Sequence, residues 1–182
     1  NDKAGIIQAM AELAGSAYFQ FYVGADIMDS KTNIFQLYQG GIGLGEKEYY
    51  LEDDEATKKI RDGYKAHIVK MFQLIGQDEK QATKSMEAVM EIETRLAKKS
   101  FNAVEQRNPA ANYHMLTLDE LKKQIPGFDW DAYISAVGVK GVTSLNVSQI
   151  EPVQEAVAII NSLPMDKQKA YLQWKLIDSA AS

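Results

Sequence analysis

The chain has 182 residues and no cysteine, and its 20 Lys and Arg against 25 Asp and Glu give a formal net charge of −5. The length fits one domain, and 46% hydrophobic with 25% charged residues excludes disorder over the whole chain. The absence of cysteine excludes disulfides, thiolate zinc sites and cysteine nucleophiles. Without a basic stripe, the acidic balance argues against a nucleic-acid partner, and no apolar run approaches a membrane span.

The first quarter of the chain mixes a helical signal with turn signals. Apolar residues at helical spacing predict a helix over residues 3–14. The aromatic run over residues 18–23 is either a short strand or a buried extended segment, and the sequence leaves both open. Residues 24–45 are rich in Gly, Asp, Asn and Ser, which predicts turns and loops.

The clearest helical pattern begins after Asp54. An apolar face recurs at helical spacing from Ile60 to Ile75, and Gly76 is a natural stop. A second long helix is predicted over about residues 78–99. Because the loop between the two helices is very short, we expect them to pack as an antiparallel helical hairpin.

The second half of the chain predicts shorter helices. Thr117 and Glu120 form a capping box for one, and Asp129 caps the next. Residues 142–147 are interpreted as a short extended link. Two helices end the chain, over about residues 153–163 and 165–181. The predicted fold class is all-α: a multi-helix bundle with helical hairpins, irregular loops and few or no strands, in one domain of residues 1–182.

Few residues suggest chemistry. The two histidines, His67 and His114, lie far apart and belong to no H-E-x-x-H motif, whereas a zinc site needs three or four protein ligands. The glycine-rich segment 40–45 is not a phosphate loop, because Glu46 stands where the third glycine belongs and further acids follow. We therefore predict a structural turn there, no catalytic residue and no metal ligand in this chain. Substrate-binding residues stay unknown.

Glu93 interrupts the apolar stripe of the second long helix. A buried carboxylate needs a partner. Arg95 is two residues away and points elsewhere on the helix, which makes Arg107 the better candidate. We predict a structural ion pair of Glu93 with Arg107 that holds the loop over residues 100–116. The alternative is that Glu93 is a catalytic acid.

Several segments resemble the motifs of one family, in the same order. Residues 19–26 resemble the F-F-x-F-x-V-x-x-D segment of the neprilysin and endothelin-converting-enzyme family of zinc metallopeptidases. Residues 39–51 resemble its Q-G-G-L-x-L-P-x-R/K-D/E-Y-Y-L motif, with Gly45 at the place of the proline. Further segments resemble E-x-x-L-A at 93–97, R-x-P…Y-N-x-M at 107–115, T-L-x-E-L at 117–121 and F-D-W-x-x-Y at 128–133, with His114 at the place of the asparagine in the second of these. The resemblance covers nearly the whole chain.

The resemblance implies that this chain is most of the N-terminal helical lobe of a longer, two-lobed zinc metalloendopeptidase. The zinc helix H-E-x-x-H lies in the C-terminal lobe of such enzymes, so the fragment alone is expected to be inactive and to hold no cofactor, with zinc in the parent. The expected partners are the C-terminal catalytic lobe of the same polypeptide and, in the parent, peptide substrates. The family is extracytoplasmic, and the lack of cysteine suggests a bacterial source.

Two other functions stay open from the sequence. The chain is alternatively a free-standing helical binding or scaffold module without peptidase activity. A third possibility is a self-sufficient hydrolase that uses Glu93, Arg107 and His114. That hydrolase requires the three side chains to meet in a solvent-accessible pocket.

Overall fold

A computed structural model describes residues 2–181 of the chain. Helices make up most of it. They are α1 Lys3–Glu12, α2 Glu48–Leu51, α3 Glu55–Leu74, α4 Glu79–Lys99, α5 Ala103–Gln106, α6 Leu118–Gln124, α7 Trp130–Ala136, α8 Ile150–Ser162 and α9 Met165–Ala181, with a 3-10 turn at Ala110–Asn112. The strands are β1 Phe19–Asp26, β2 Asp29–Gln39, β3 Met115–Thr117 and β4 Ser144–Val147.

Side-chain caps start the helices where the sequence predicted. Asp54 accepts a hydrogen bond from the Thr57 N–H at the start of α3, and Asp78 accepts one from Gln81 at the start of α4. The predicted capping box of Thr117 with Glu120 is present at α6. The two long helices pack against each other across their short connection.

The prediction of an all-α bundle with few or no strands is wrong. The four strands form one mixed sheet in the order β1-β2-β4-β3. The β2 strand pairs antiparallel with β1 and parallel with β4, and β4 pairs antiparallel with β3. Residues 19–23 of the aromatic run that the sequence left open are therefore strand, and residues 29–39 are strand rather than loop.

The sheet escaped prediction because its local signals are weak. The first half of β2, residues 29–33, is polar and exposed, so it lacks the apolar alternation that marks a strand. The strands β3 and β4 have three and four residues. The pairing of Leu37 with Val147 joins distant parts of the chain, and such a contact leaves no local pattern.

The two faces of the sheet differ in polarity, because successive side chains of a strand point to opposite faces. Phe35 and Leu37 of β2 are aligned with Leu145 and Val147 of β4, and all four are buried on the face that packs against the helices. The other face carries polar and tyrosine side chains: Tyr22, Gln36, Tyr38 and Asn146.

The core is centred on helix α4. This helix packs against α2, α3, α8 and α9, and nine of its residues are buried. Most of the buried residues are apolar, but Glu93 lies among them with 0% of its surface exposed. The arrangement of four elements around α4 thus fixes where the buried carboxylate must find its partners.

Candidate functional site

The Glu93 carboxylate is fully bonded inside the protein. Its Oε1 atom accepts hydrogen bonds from the hydroxyls of Tyr50 at 2.6 Å and Tyr64 at 2.9 Å, and from the Gly43 N–H at 2.8 Å. Lys175 Nζ lies 3.1 Å from Oε2, and 6% of the Lys175 side chain is exposed. A buried charge is tolerated only when it is paired and hydrogen-bonded, and Glu93 meets both conditions.

The partners of Glu93 come from different elements. Tyr50 belongs to α2, Tyr64 to α3 and Lys175 to α9. The neighbouring Trp174 donates from Nε1 to the Tyr64 hydroxyl at 2.9 Å. We call Glu93, Tyr50, Tyr64 and Lys175 the Glu93 cluster. It ties three helices and one loop to the middle of α4.

The loop after β2, residues 40–45, is held by the same region. The Tyr171 hydroxyl donates to the Gly41 carbonyl oxygen at 2.7 Å and accepts from the Tyr18 N–H at 3.0 Å. The Leu44 N–H donates to Tyr50 at 2.9 Å, next to the bond from Gly43 to Glu93. These two N–H groups are used within the protein, so the loop is a structural turn and its geometry does not provide a phosphate cradle.

The buried tyrosines in and around the Glu93 cluster stay protonated. Burial, reinforced by the neighbouring Glu93 carboxylate, raises the pKa of Tyr50, Tyr64 and Tyr171 far above the usual value of a phenol. Burial also raises the pKa of Tyr18 and Tyr133. None of these five hydroxyls loses its proton in the folded protein at physiological pH.

The raised tyrosine pKa values predict alkaline unfolding. Tyrosine in the unfolded chain titrates near pH 10, whereas the folded form titrates higher, so the stability is fully present below pH 10 and falls above it. Each buried tyrosine contributes a slope of about 1.4 kcal/mol per pH unit. Urea unfolding between pH 8 and pH 11, with tyrosinate absorbance as a second signal, measures this. Ordinary titration of all nine tyrosines in the folded protein would contradict it.

The structure does not bring Glu93 and Arg107 together. Arg107 is exposed at the end of α5, whereas Glu93 is enclosed, and the cation beside Glu93 is Lys175. The sequence contained a signal for this pair. Lys175 lies four residues after Tyr171 on the buried side of α9, so it interrupts an apolar stripe in the same way as Glu93 does on α4.

Among the described residues, neither histidine is a bonding partner of the Glu93 carboxylate. His67 is exposed on α3, and its ring lies edge-on to that of Trp174, with the two ring centroids 5.8 Å apart. His114 is half-buried, and its Nδ1 lies 2.8 Å from the Val147 carbonyl oxygen. Glu93, Arg107 and His114 therefore do not converge in one accessible pocket, as the hydrolase alternative requires.

The described residues do not fit a zinc ion. Within residues 2–181, no group of three or more His, Asp or Glu side chains is placed to hold a metal. We therefore derive no metal-dependent step from this chain. The helices in the same range also fall short of the length and apolar character that crossing a membrane demands.

The comparison with known families decides the identity. The sequence model of the N-terminal region of peptidase family M13 matches residues 1–182. The chain belongs to this family. The family predicted from the ordered motifs, that of neprilysin and endothelin-converting enzyme, is thereby confirmed, and its members are zinc metallopeptidases.

Individual M13 relatives are similar over nearly the whole chain. Endothelin-converting enzyme 1 of Rattus norvegicus is 27% identical over 176 residues, which cover 92% of this chain and 22% of that protein. The zinc metalloprotease Zmp1 of Mycobacterium tuberculosis, solved with an inhibitor, is 27% identical, with a TM-score of 0.88 over 96% of this chain and 27% of that chain. The open state of Zmp1 also gives a TM-score of 0.88, and the match covers 97% of this chain and 28% of that chain. The chain thus spans about a quarter of the length of these relatives.

Proposed function

We propose that residues 1–182 form one domain, most of the N-terminal lobe of a longer zinc metalloendopeptidase, and that this lobe caps the active-site cavity without taking part in the chemistry. The observation that carries the proposal is that an M13 N-terminal model matches the whole chain, which spans only 22% of the matched endothelin-converting enzyme. In the parent, zinc and its ligands belong to the C-terminal catalytic lobe, which is the partner of this chain.

The Glu93 cluster supports a role for this lobe as a rigid cover of the active-site cavity. Four elements and the loop over residues 40–45 are joined through one buried carboxylate, which favours a single rigid arrangement of the helices. A rigid lobe limits substrates by shape, because a folded protein does not enter a closed cavity whereas a flexible peptide does. An open state has been solved for the relative Zmp1, as expected for an enzyme whose cavity is gated.

The location of the parent follows from the same proposal. We place it outside the cytoplasm, as a periplasmic or secreted enzyme or as a membrane-anchored ectodomain, and its substrates are peptides.

Peptidase assays of the fragment and of the parent test the proposal. We expect the purified chain to cleave no peptide with or without added zinc, since the described residues provide no metal site. We expect the parent to cleave a short free peptide, but not the same sequence inserted into a surface loop of a stably folded protein. Unfolding that carrier protein is the control, and it should restore cleavage.

Two results would contradict the proposal. Chelator-sensitive cleavage by the fragment would show that the chain carries its own active site. Equal rates on the free peptide and on the folded insertion would show that the lobe does not limit substrate size.

A further inference from the structure

A groove crosses the polar face of the sheet, and Glu93 is not among the residues that line it. Its larger cavity, of about 340 Å³, lies between β2, β4 and the segment that follows α5. A second cavity of about 180 Å³ adjoins it beside Gly40 and Gly41 and shares Tyr38 and Gln106 with it. Neither cavity is lined by an aspartate or a glutamate. We call the two together the Arg107 groove, after the charged residue in their lining.

Arg107 differs from the other two arginines of the chain. Arg61 is paired with Asp53, and Arg95 is paired with Glu155 at 2.6 Å. The Arg107 side chain is exposed and lines the larger cavity. It has no ion pair or hydrogen bond with another residue among residues 2–181. A guanidinium presents its donors in a planar fork that matches a carboxylate, and this fork is free.

The floor of the groove is neutral and already bonded. The Asn146 amide donates to Gln36 Oε1 at 3.1 Å, and the Gln149 Oε1 atom accepts from the Gln39 N–H at 2.7 Å. Gln36, Asn146 and Gln149 are all buried, with at most 5% of each residue exposed. These groups fix the shape of the groove, and they leave Arg107 as the charge that an incoming ligand meets.

The carboxylates near the groove in sequence are occupied. Asp26 accepts hydrogen bonds from the Tyr113 hydroxyl at 2.9 Å and from the Met28 N–H at 2.9 Å. Glu105 accepts from the Asn102 N–H as part of a capping box. Neither acid forms an ion pair with Arg107. The groove is therefore a region without acidic lining on a protein with a net charge of −5.

We propose that the Arg107 groove binds an acidic peptide in extended form, with a glutamate or aspartate side chain paired to the Arg107 guanidinium. The two cavities, of about 340 Å³ and about 180 Å³, share Tyr38 and Gln106 in their lining and have room for more than one carboxylate, which favours a peptide over a small anion. Pro109 and the half-exposed Tyr22 ring provide apolar contacts beside the charge. This site is independent of the capping role, because it requires neither a catalytic lobe nor zinc.

Titration of the isotope-labelled chain with blocked tripeptides tests the site by amide NMR. The probes are Ac-Ala-Glu-Ala-NH2, its uncharged isostere Ac-Ala-Gln-Ala-NH2, and acetate as a bare carboxylate. We expect the glutamate peptide to shift amides around Arg107 and Ser148, and to bind about tenfold more tightly than the glutamine peptide or acetate, as one charge-assisted pair predicts. Added salt should weaken the binding.

Two substitutions and a matched control complete the test. Arg107→Gln should weaken binding of the glutamate peptide about tenfold. Arg107→Lys should weaken that binding less, because the positive charge stays while the planar fork of donors is lost. Lys59→Gln, which removes the same charge from an exposed position on α3, should leave binding unchanged. The Arg107 side chain has no partner to lose among the described residues, so circular dichroism should show an intact fold. Equal binding of the two peptides, equal binding of acetate, or full binding to Arg107→Gln would overturn the proposal.

Discussion

Replacing Glu93 by glutamine will lower the free energy of unfolding by about 3–5 kcal/mol, the usual cost of removing one partner of a buried ion pair. The substitution leaves the Lys175 ammonium inside the protein without its counter-charge. It also weakens the hydrogen bonds from Tyr50 and Tyr64, because a neutral amide accepts less strongly than a carboxylate. Urea unfolding followed by circular dichroism measures the loss.

A second ion pair between the same two helices is the matched control. Glu91 of α4 and Lys167 of α9 are 2.7 Å apart, but each side chain is 38% exposed. Solvent screens such a pair, so Glu91→Gln should cost less than about 1 kcal/mol. The double variant of Glu93→Gln with Lys175→Met should recover part of the loss, because no charge then stays unpaired. A Glu93→Gln variant as stable as Glu91→Gln would contradict the assigned role of the cluster.

Replacing Gly41 by alanine will destabilise the protein by about 2–4 kcal/mol, the sum of overpacking in a core and a left-handed backbone. The φ angle of Gly41 is +80°, and a Cβ atom there would lie 2.6 Å from the Tyr171 hydroxyl and 2.9 Å from the Tyr18 backbone nitrogen. Neither contact atom belongs to the flexible end of a side chain. The Tyr171 hydroxyl is buried and bonded to Gly41 itself, and the Tyr18 nitrogen is part of the backbone. Thermal and urea unfolding give the size of the effect.

Gly45 of the same loop separates the two causes. Its φ angle is +86°, but no atom lies within 4 Å of the position that an alanine Cβ would take, so Gly45→Ala has only the backbone cost of about 1 kcal/mol. We expect Gly41→Ala to be the more harmful of the two by a clear margin. If the two variants lose the same stability, close packing against Tyr171 is not the reason why position 41 requires glycine.

The long helices were predictable because their signals are local. The caps at Asp54 and Asp78 and the capping box of Thr117 with Glu120 are formed by neighbouring residues, as are the apolar stripes that follow them. The same holds for the family, since its motifs are short strings whose order along the chain is independent of how the chain folds.

The sheet was not predictable in this way. In β2 the half that lies near the turn, residues 29–33, is polar because it is exposed, and the buried half is too short to outweigh the turn-forming residues around it. Its parallel neighbour β4 is four residues long and lies far along the chain. The strand identity of these segments comes from their pairing with each other.

The sequence by itself determined the family, the two long helices and the fact that an acid at position 93 interrupts a buried stripe. Only the tertiary structure decided the sheet, the partner of Glu93 and the free side chain of Arg107. The physical reason is the same in each case: caps and stripes depend on residues within a few positions, whereas strand pairing and the choice of Lys175 over Arg107 depend on which distant segments pack together.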